Sequence, residues 1–385
     1  MPDTEGERPV ATLWRLAWDD DRLSCTIYRN AAGFQLRLES ATAVILTEPF
    51  EMQPRAFART QALRASLKRR GWQDSKMKIA FMGAGGVGGF YGGRLAHAGY
   101  DVSFIARGAH LAAMRERGLT IENEPQGDIH VPRVTATDDP ASLGVVDVVV
   151  MAVKLWDTES AATFIKPLVG NHTAVVSLQN GVIKDDVLRR VFGDAAVIGG
   201  VGYVATHISQ PGVIRQTGTM QRVIIGEYDG TRSSRVGALH DALLEAGIKA
   251  EVSDDIRRTL WEKYVFLVGL SGSTTSMRAS IGPIRANEQT RRFLFDLMQE
   301  TVAVGRAHGV NLPEDYADQR LAFVDTMAVD MTSSMHHDLN SGNRLEVSWL
   351  SGGVVQLGAQ VGVPTPANRA VWDILALHAA GRSGA

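Results

Sequence analysis

The sequence predicts an α/β fold joined to an all-α one. Three observations carry this: a glycine cluster directly after a short apolar run, more apolar runs at helix-length spacing, and loss of strand signal near Asp254. Lys78-Ile79-Ala80-Phe81-Met82 reads as a buried strand, and Gly83, Gly85, Gly86, Gly88, Gly89, Gly92 and Gly93 follow at once. Residues 102–106, 145–153, 174–178 and 196–198 are the later apolar runs. Strands separated by helices argue for a parallel sheet with helical crossovers. Beyond Asp254, Ile256, Leu260, Leu267 and Leu270 mark a long helix, and residues 293–307, 316–327 and 345–359 read as further helices.

The first 74 residues differ from both parts. Leu23 to Ile27 and Phe34 to Glu39 alternate apolar and polar residues, with a hairpin turn from Asn30 to Gly33. Residues 43–46 suggest another strand. After Pro49 and Pro54 the period becomes helical, through Phe57, Leu63 and Leu67. That helix also carries Arg55, Arg59, Arg64, Lys68, Arg69 and Arg70. It reads as a solvated charged face or as a docking surface for an acidic partner or nucleic acid. The expected domains are 1–74, a small β-meander plus basic helix; 75–253, the dinucleotide-binding part; and 254–385, an all-α substrate domain.

Lys plus Arg is 40 and Asp plus Glu is 42, so the net charge of −2 offers no global field for nucleic acid or membrane. A single cysteine, Cys25, excludes an intrachain disulfide and a Cys-based zinc site. No apolar run approaches the roughly 18 residues of a membrane span. The opening stretch, MPDTEGERP, is acidic, the reverse of a secretory leader. The expectation is a soluble, cytoplasmic chain. His336-His337 invites a metal reading, but adjacent helical residues point about 100° apart and rarely share one ion.

Gly83-Ala84-Gly85-Gly86-Val87-Gly88 fits G-x-G-x-x-G between a strand and a helix, the context that gives the motif meaning. The first glycine makes the tight turn, the second admits a pyrophosphate, and the third lets helix and strand pack closely. The sheet is therefore expected to be Rossmann-type. The next strand ends in Arg107 with no acid beside it, which favours NADP over NAD, because arginine can hold a 2′-phosphate by a charge-assisted fork. Lys263 shares a helical face with Ile256, Leu260 and Leu267. Desolvation there would lower its pKa and make it a proton donor near neutrality. The periodicity alone equally allows a lysine that snorkels to the surface.

Across roughly residues 77–375 the chain resembles the ketopantoate reductases (2-dehydropantoate 2-reductases). The landmarks are the loop of residues 83–88, Ala106-Arg107, Val153-Lys154, Gln179-Asn180-Gly181, Leu260-Trp261-Glu262-Lys263, Ser333-Ser334-Met335, Leu345-Glu346-Val347 and Val363-Pro364-Thr365-Pro366-Ala367-Asn368. The resemblance implies NADPH-dependent reduction of a 2-keto acid in pantothenate biosynthesis, with Lys263 as general acid. It implies that Gly83, Ala84, Gly85, Gly86, Val87, Gly88, Arg107 and Lys154 bind the cofactor. Asn180 would lie near the nicotinamide ribose and substrate, Glu346 would bind that ribose, and Ser334 would bind the substrate carboxylate. It admits a homodimer.

Two departures stand out. The family commonly carries asparagines four and eight residues after the lysine, where this chain has Leu267 and Ser271. Ser271 remains a candidate substrate contact, whereas Leu267 cannot hydrogen-bond. The acid usual two residues after the glutamate is replaced by Ser348. The pattern weakens ketopantoate as substrate more than it weakens NADPH-linked reduction. Alternatives are an NADPH-dependent dehydrogenase of another hydroxy acid and a non-catalytic NADPH-binding sensor. Residues 1–74 carry no landmark and read as an addition.

Overall fold

The computed structural model describes residues 8–18, 21–40, 43–123 and 127–382. Most of the acidic opening stretch lies outside the described residues. The chain forms two compact units: Met1–Val153, Ser160–Leu178 and Val191–Asp254 make one; Lys154–Glu159, Gln179–Arg190 and Asp255–Ala385 make the other.

In the first unit, the amino-terminal region is a five-stranded antiparallel sheet. Its order is Val44–Phe50, Gly33–Glu39, Asp21–Asn30, Arg8–Trp18 and Gln73–Asp74. Trp14, Leu16, Leu23, Cys25, Leu36 and Leu38 form its own core, and Leu63 and Leu67 of the helix Gln53–Arg69 pack on it. The hairpin turn works as its residues suggest. Asn30 Oδ1 accepts from Ala32 N at 3.0 Å, and Gly33 has φ +127°, where a Cβ would meet the Phe50 carbonyl. The strand Arg8–Trp18 has no sequence expectation behind it. Its register shifts between Pro9 and Ala11 and again between Thr12 and Trp14 break the period-2 pattern.

The larger sheet has ten strands. Its parallel part runs Thr135–Thr137, Asp101–Ile105, Lys78–Met82, Val148–Met151, Ala174–Ser177 and the start of Val197–Gln210. Numbered along the chain, this is the order 3-2-1-4-5-6 of a doubly wound dinucleotide fold. Val148–Met151 and Ala174–Ser177 are buried at every position, as central parallel strands covered on both faces must be. The sheet is not wholly parallel. Val197–Gln210 runs on for 14 residues and pairs antiparallel with Val213–Gly226, which then pairs with Leu119–Glu122 and Lys249–Val252. The expected strand at 196–198 is only the first part of this hairpin.

Beyond Asp255 the second unit is helical, as expected. Asp255 caps the 22-residue helix Ile256–Met277 by accepting from Arg258 N, and Arg278 ends it at φ 51°. Glu288–Ala307 packs along it, and Leu294, Leu297 and Met298 fill the shared core. One helix is displaced from its expected place. Residues 345–350 are not helical, and the helix there is Ser351–Val361. The apolar pattern of Leu345, Val347 and Leu350 reflects burial of an irregular segment rather than a helical face.

Candidate active site

The glycine loop lies in the first unit. Gly83 turns at φ +99°, and a Cβ there would press on the Ala152 backbone. At Gly88 a Cβ would collide with the Gly83 carbonyl, so close helix–strand packing fixes that glycine. Gly85 differs: its φ is ordinary and nothing lies within 4 Å of a Cβ built on it. The loop therefore keeps open space over Gly85 at the N-terminus of the helix Gly86–His97, whose first N–H groups have no intrahelical partner. An anionic pyrophosphate fits such a cradle. Arg107, next along, is exposed at the N-cap of the helix Gly108–Arg117. A 2′-phosphate would need a cation with this freedom.

The second unit brings together four of the expected residues. Lys263 Nζ donates to Asn180 Oδ1 at 2.9 Å. Asn180 stands just before Gly181, at φ +78°, so it is both a turn residue and a side-chain partner. Desolvation first, and then the charge of Lys184, push the Lys263 ammonium down to about 8, while Glu346 works the other way. Glu346 is buried, and its Oε1 accepts from Leu155 N at 3.2 Å. The same carboxylate acts on Lys154, whose Nζ pairs with Asp338 Oδ2 at 3.0 Å. Burial works against the Lys154 charge, but Glu346 and Asp338 together hold its pKa above the usual lysine value. Tyr264 ties the irregular segment to the lysine helix by donating to the Trp349 and Leu350 carbonyls at 3.0 and 2.7 Å.

The remaining expected residues have quieter surroundings. Ser271 is fully buried, and its Oγ has no hydrogen-bond partner among the described residues. Leu267 is partly buried against the helical core. Ser334 is exposed as the first residue of the helix Ser334–Ser341, while Ser333 does the capping by accepting from His336 N. His336 Nδ1 bonds the Thr274 carbonyl at 2.8 Å, and His337 Nε2 bonds Thr332 Oγ1 at 3.0 Å. Each ring therefore has its own protein partner. Among the described residues no group of three His, Cys, Asp or Glu could hold a metal. Asp338 and Lys184 were not expected in this cluster. Nothing in the sequence distinguishes them from surface charges, because their partners come from distant segments or from an adjacent acid.

Comparison with known proteins agrees with this architecture. The family profile "Ketopantoate reductase PanE/ApbA" matches residues 79–230, and its "C terminal" counterpart matches residues 255–379. The chain belongs to the ketopantoate reductase family. A 2-dehydropantoate 2-reductase from Mesorhizobium japonicum is 34% identical over 316 residues, covering 77% of this chain and 95% of that one. An uncharacterised Bacillus subtilis oxidoreductase is 29% identical, with 79% and 99% covered. The crystal structure of a family ketopantoate reductase from Ralstonia eutropha JMP134 superposes with TM-score 0.72 at 36% identity, covering 79% of this chain and 98% of that one. Like the rest of the ketopantoate reductase family, the protein is an oxidoreductase that uses a nicotinamide nucleotide. Its first 78 residues precede the matched segments.

Proposed function

We propose that the protein reduces a 2-keto acid to the 2-hydroxy acid with NADPH, and that Lys263 supplies the proton. The observation that carries this reading is the desolvated Lys263 ammonium held at 2.9 Å by Asn180 Oδ1. An ammonium poised near neutrality is an efficient donor to an oxygen that gains negative charge. Residues 83–88 and Arg107, with Lys154 and Glu346, would hold NADPH, which supplies the hydride when bound. Asn180 orients the Lys263 ammonium toward the ketone oxygen. That oxygen takes the proton as its carbon is reduced, and Lys263 is left neutral until solvent recharges it. Ser334 is assigned to the substrate carboxylate and Ser271 to its tail. Leu267 makes the neighbouring position apolar, so the preferred acid has a more apolar tail than ketopantoate. Such an enzyme works among cytoplasmic metabolites.

Initial rates test this with NADPH and NADH against ketopantoate and 4-methyl-2-oxopentanoate. NADPH should be preferred, and Arg107→Ala should remove most of that preference. The apolar acid should give the higher kcat/KM, and Leu267→Asn should move preference back toward ketopantoate. A site that hydrogen-bonds its substrate discriminates by about 10⁴–10⁵ against analogues lacking the group, against about 10–200 per methylene in an apolar pocket. Equal affinity for the two nucleotides would refute the role of Arg107. Ketopantoate turnover above about 10⁴ M⁻¹s⁻¹, an ordinary enzyme value, with no apolar acid doing better, would refute the role of Leu267.

A further inference from the structure

The second unit holds a guanidinium that has no part in the mechanism above. Arg344 Cζ lies 4.7 Å from the centroid of the Trp156 ring and 5.8 Å from that of the Trp349 ring. The two indoles are 6.2 Å apart and tilted by 54°. Arg344 is exposed, and among the described residues its side chain makes no ion pair and no hydrogen bond. Two acids stand close by in the chain, but both are engaged. Asp338 takes Lys154 Nζ on one oxygen and Asn343 Nδ2 on the other, at 3.0 and 3.1 Å. Glu346 Oε1 accepts from Leu155 N. An indole attracts the flat side of a guanidinium and leaves the N–H groups, which lie in its plane, to other partners. Arg344 is thus a cation whose position is held and whose hydrogen-bonding edge is open.

Packing within the unit brings this stack beside the proton donor. Gly181 follows Asn180, and a Cβ there would lie 3.8 Å from Leu155 Cδ1, 3.9 Å from the Trp349 carbonyl and 4.0 Å from the Tyr264 ring. Leu155 precedes Trp156, and Tyr264 follows Lys263. Tyr264 Oη also donates to the Trp349 carbonyl at 3.0 Å. Lys154 and Asn343 meet at Asp338, one turn along the helix from Ser334. The stack therefore borders both the turn that carries Asn180 and the helix that begins at Ser334.

We propose that Arg344, held over Trp156 and Trp349, binds the carboxylate of the 2-keto acid. This rests on the reduction proposed above. A 2-keto acid with an apolar tail carries one charge, and Ser334 offers it only a neutral hydroxyl. A carboxylate that leaves water needs a charged partner, and the guanidinium fork matches its two oxygens. Lys154 faces Asp338, Lys184 faces Asp185, and Lys263 is committed to the ketone. Lys154 Nζ also lies over the Trp156 ring, 5.7 Å from its centroid. Two cations crowd one indole, and an arriving anion relieves their repulsion.

The test uses the full chain with NADPH. In Arg344→Gln, KM for 4-methyl-2-oxopentanoate should rise about ten- to a hundredfold, the usual worth of a charge-assisted contact. The loss should fall on KM far more than on kcat, and the NADPH Kd should not move. Arg344→Lys keeps the charge without the fork and should recover only part of the loss. The neutral amide, 4-methyl-2-oxopentanamide, should be a poor substrate of wild type and indifferent to Arg344→Gln. An unchanged KM for the acid in a folded variant, or an equal loss on the amide, would overturn the proposal. So would a raised NADPH Kd with the acid KM unmoved, which would give Arg344 to the nucleotide. Wild type alone decides if the variants misfold, since no preference for acid over amide would equally overturn it. Oxamate, a keto acid mimic that is not reduced, separates the two ideas. Its Kd, read from tryptophan fluorescence, should rise in Arg344→Gln, and an equal Kd in both proteins would overturn the anchor. Arg344-dependent oxamate binding by a protein that turns over no 2-keto acid would refute the reduction and uphold the anchor.

Discussion

Lys263 is cationic only below about pH 8, because burial and the neighbouring Lys184 charge both disfavour its proton. The acid form is therefore full below that value and is lost as pH rises through it. Reduction should be flat with pH below about 8 and should fall about tenfold per unit above it. Oxidation of the hydroxy acid needs the neutral amine and should show the opposite dependence. The check is kcat/KM in both directions from pH 6 to 10, and a limb near the free-lysine value of about 10.4 would contradict the desolvated donor. Lys263 was legible in the sequence because a charge stood out on an apolar helical face. Lys184 was not. Lys-Asp-Asp at a helix start reads as a solvated first turn, yet the Lys184 and Asp185 side chains are both buried there.

The glycine loop shows how an element makes separate demands at neighbouring positions. Gly85→Ala adds a methyl to open space at a backbone angle alanine accepts, so folding should be unchanged. The same methyl would occupy room needed by the pyrophosphate, and the nucleotide Kd should rise about tenfold or more, about 1.4 kcal/mol. Gly88→Ala drives a methyl into the Gly83 carbonyl and should cost about 1–3 kcal/mol of stability or more. Thermal melting with nucleotide titration separates the two, and matching behaviour would contradict this division. The parallel strands were legible because buried strands are apolar throughout. The hairpin Val197–Gln210 with Val213–Gly226 was not, since its distal half is largely exposed and shows no apolar run. Residues 345–350 misled in the opposite sense, being apolar without being helical.

At the scale of the molecule, the amino-terminal sheet has its own core, and among the described residues Arg15–Asp147 and Glu39–His172 are polar pairs that tie it to the remainder of its unit. Arg15 Nε meets Asp147 Oδ1 at 3.1 Å, but Asp147 Oδ2 also accepts from Lys78 N at 2.8 Å. Removing Arg15 leaves that backbone contact, and part-exposed ion pairs are worth about 0–1 kcal/mol. A chain beginning at Ser75 should fold, melt a few degrees lower and keep the nucleotide Kd. Aggregation, or loss of nucleotide binding, would show that the sheet is part of the dehydrogenase core. The central claim, that this cluster protonates a ketone, is tested most directly by one comparison: kcat for the preferred 2-keto acid at saturating NADPH in wild type and Lys263→Ala, alongside the NADPH Kd of each. General-acid catalysis contributes about 10²–10⁴-fold, so the variant should lose that much in kcat with its NADPH Kd unchanged. A Lys263→Ala enzyme within about threefold of wild type would contradict the account.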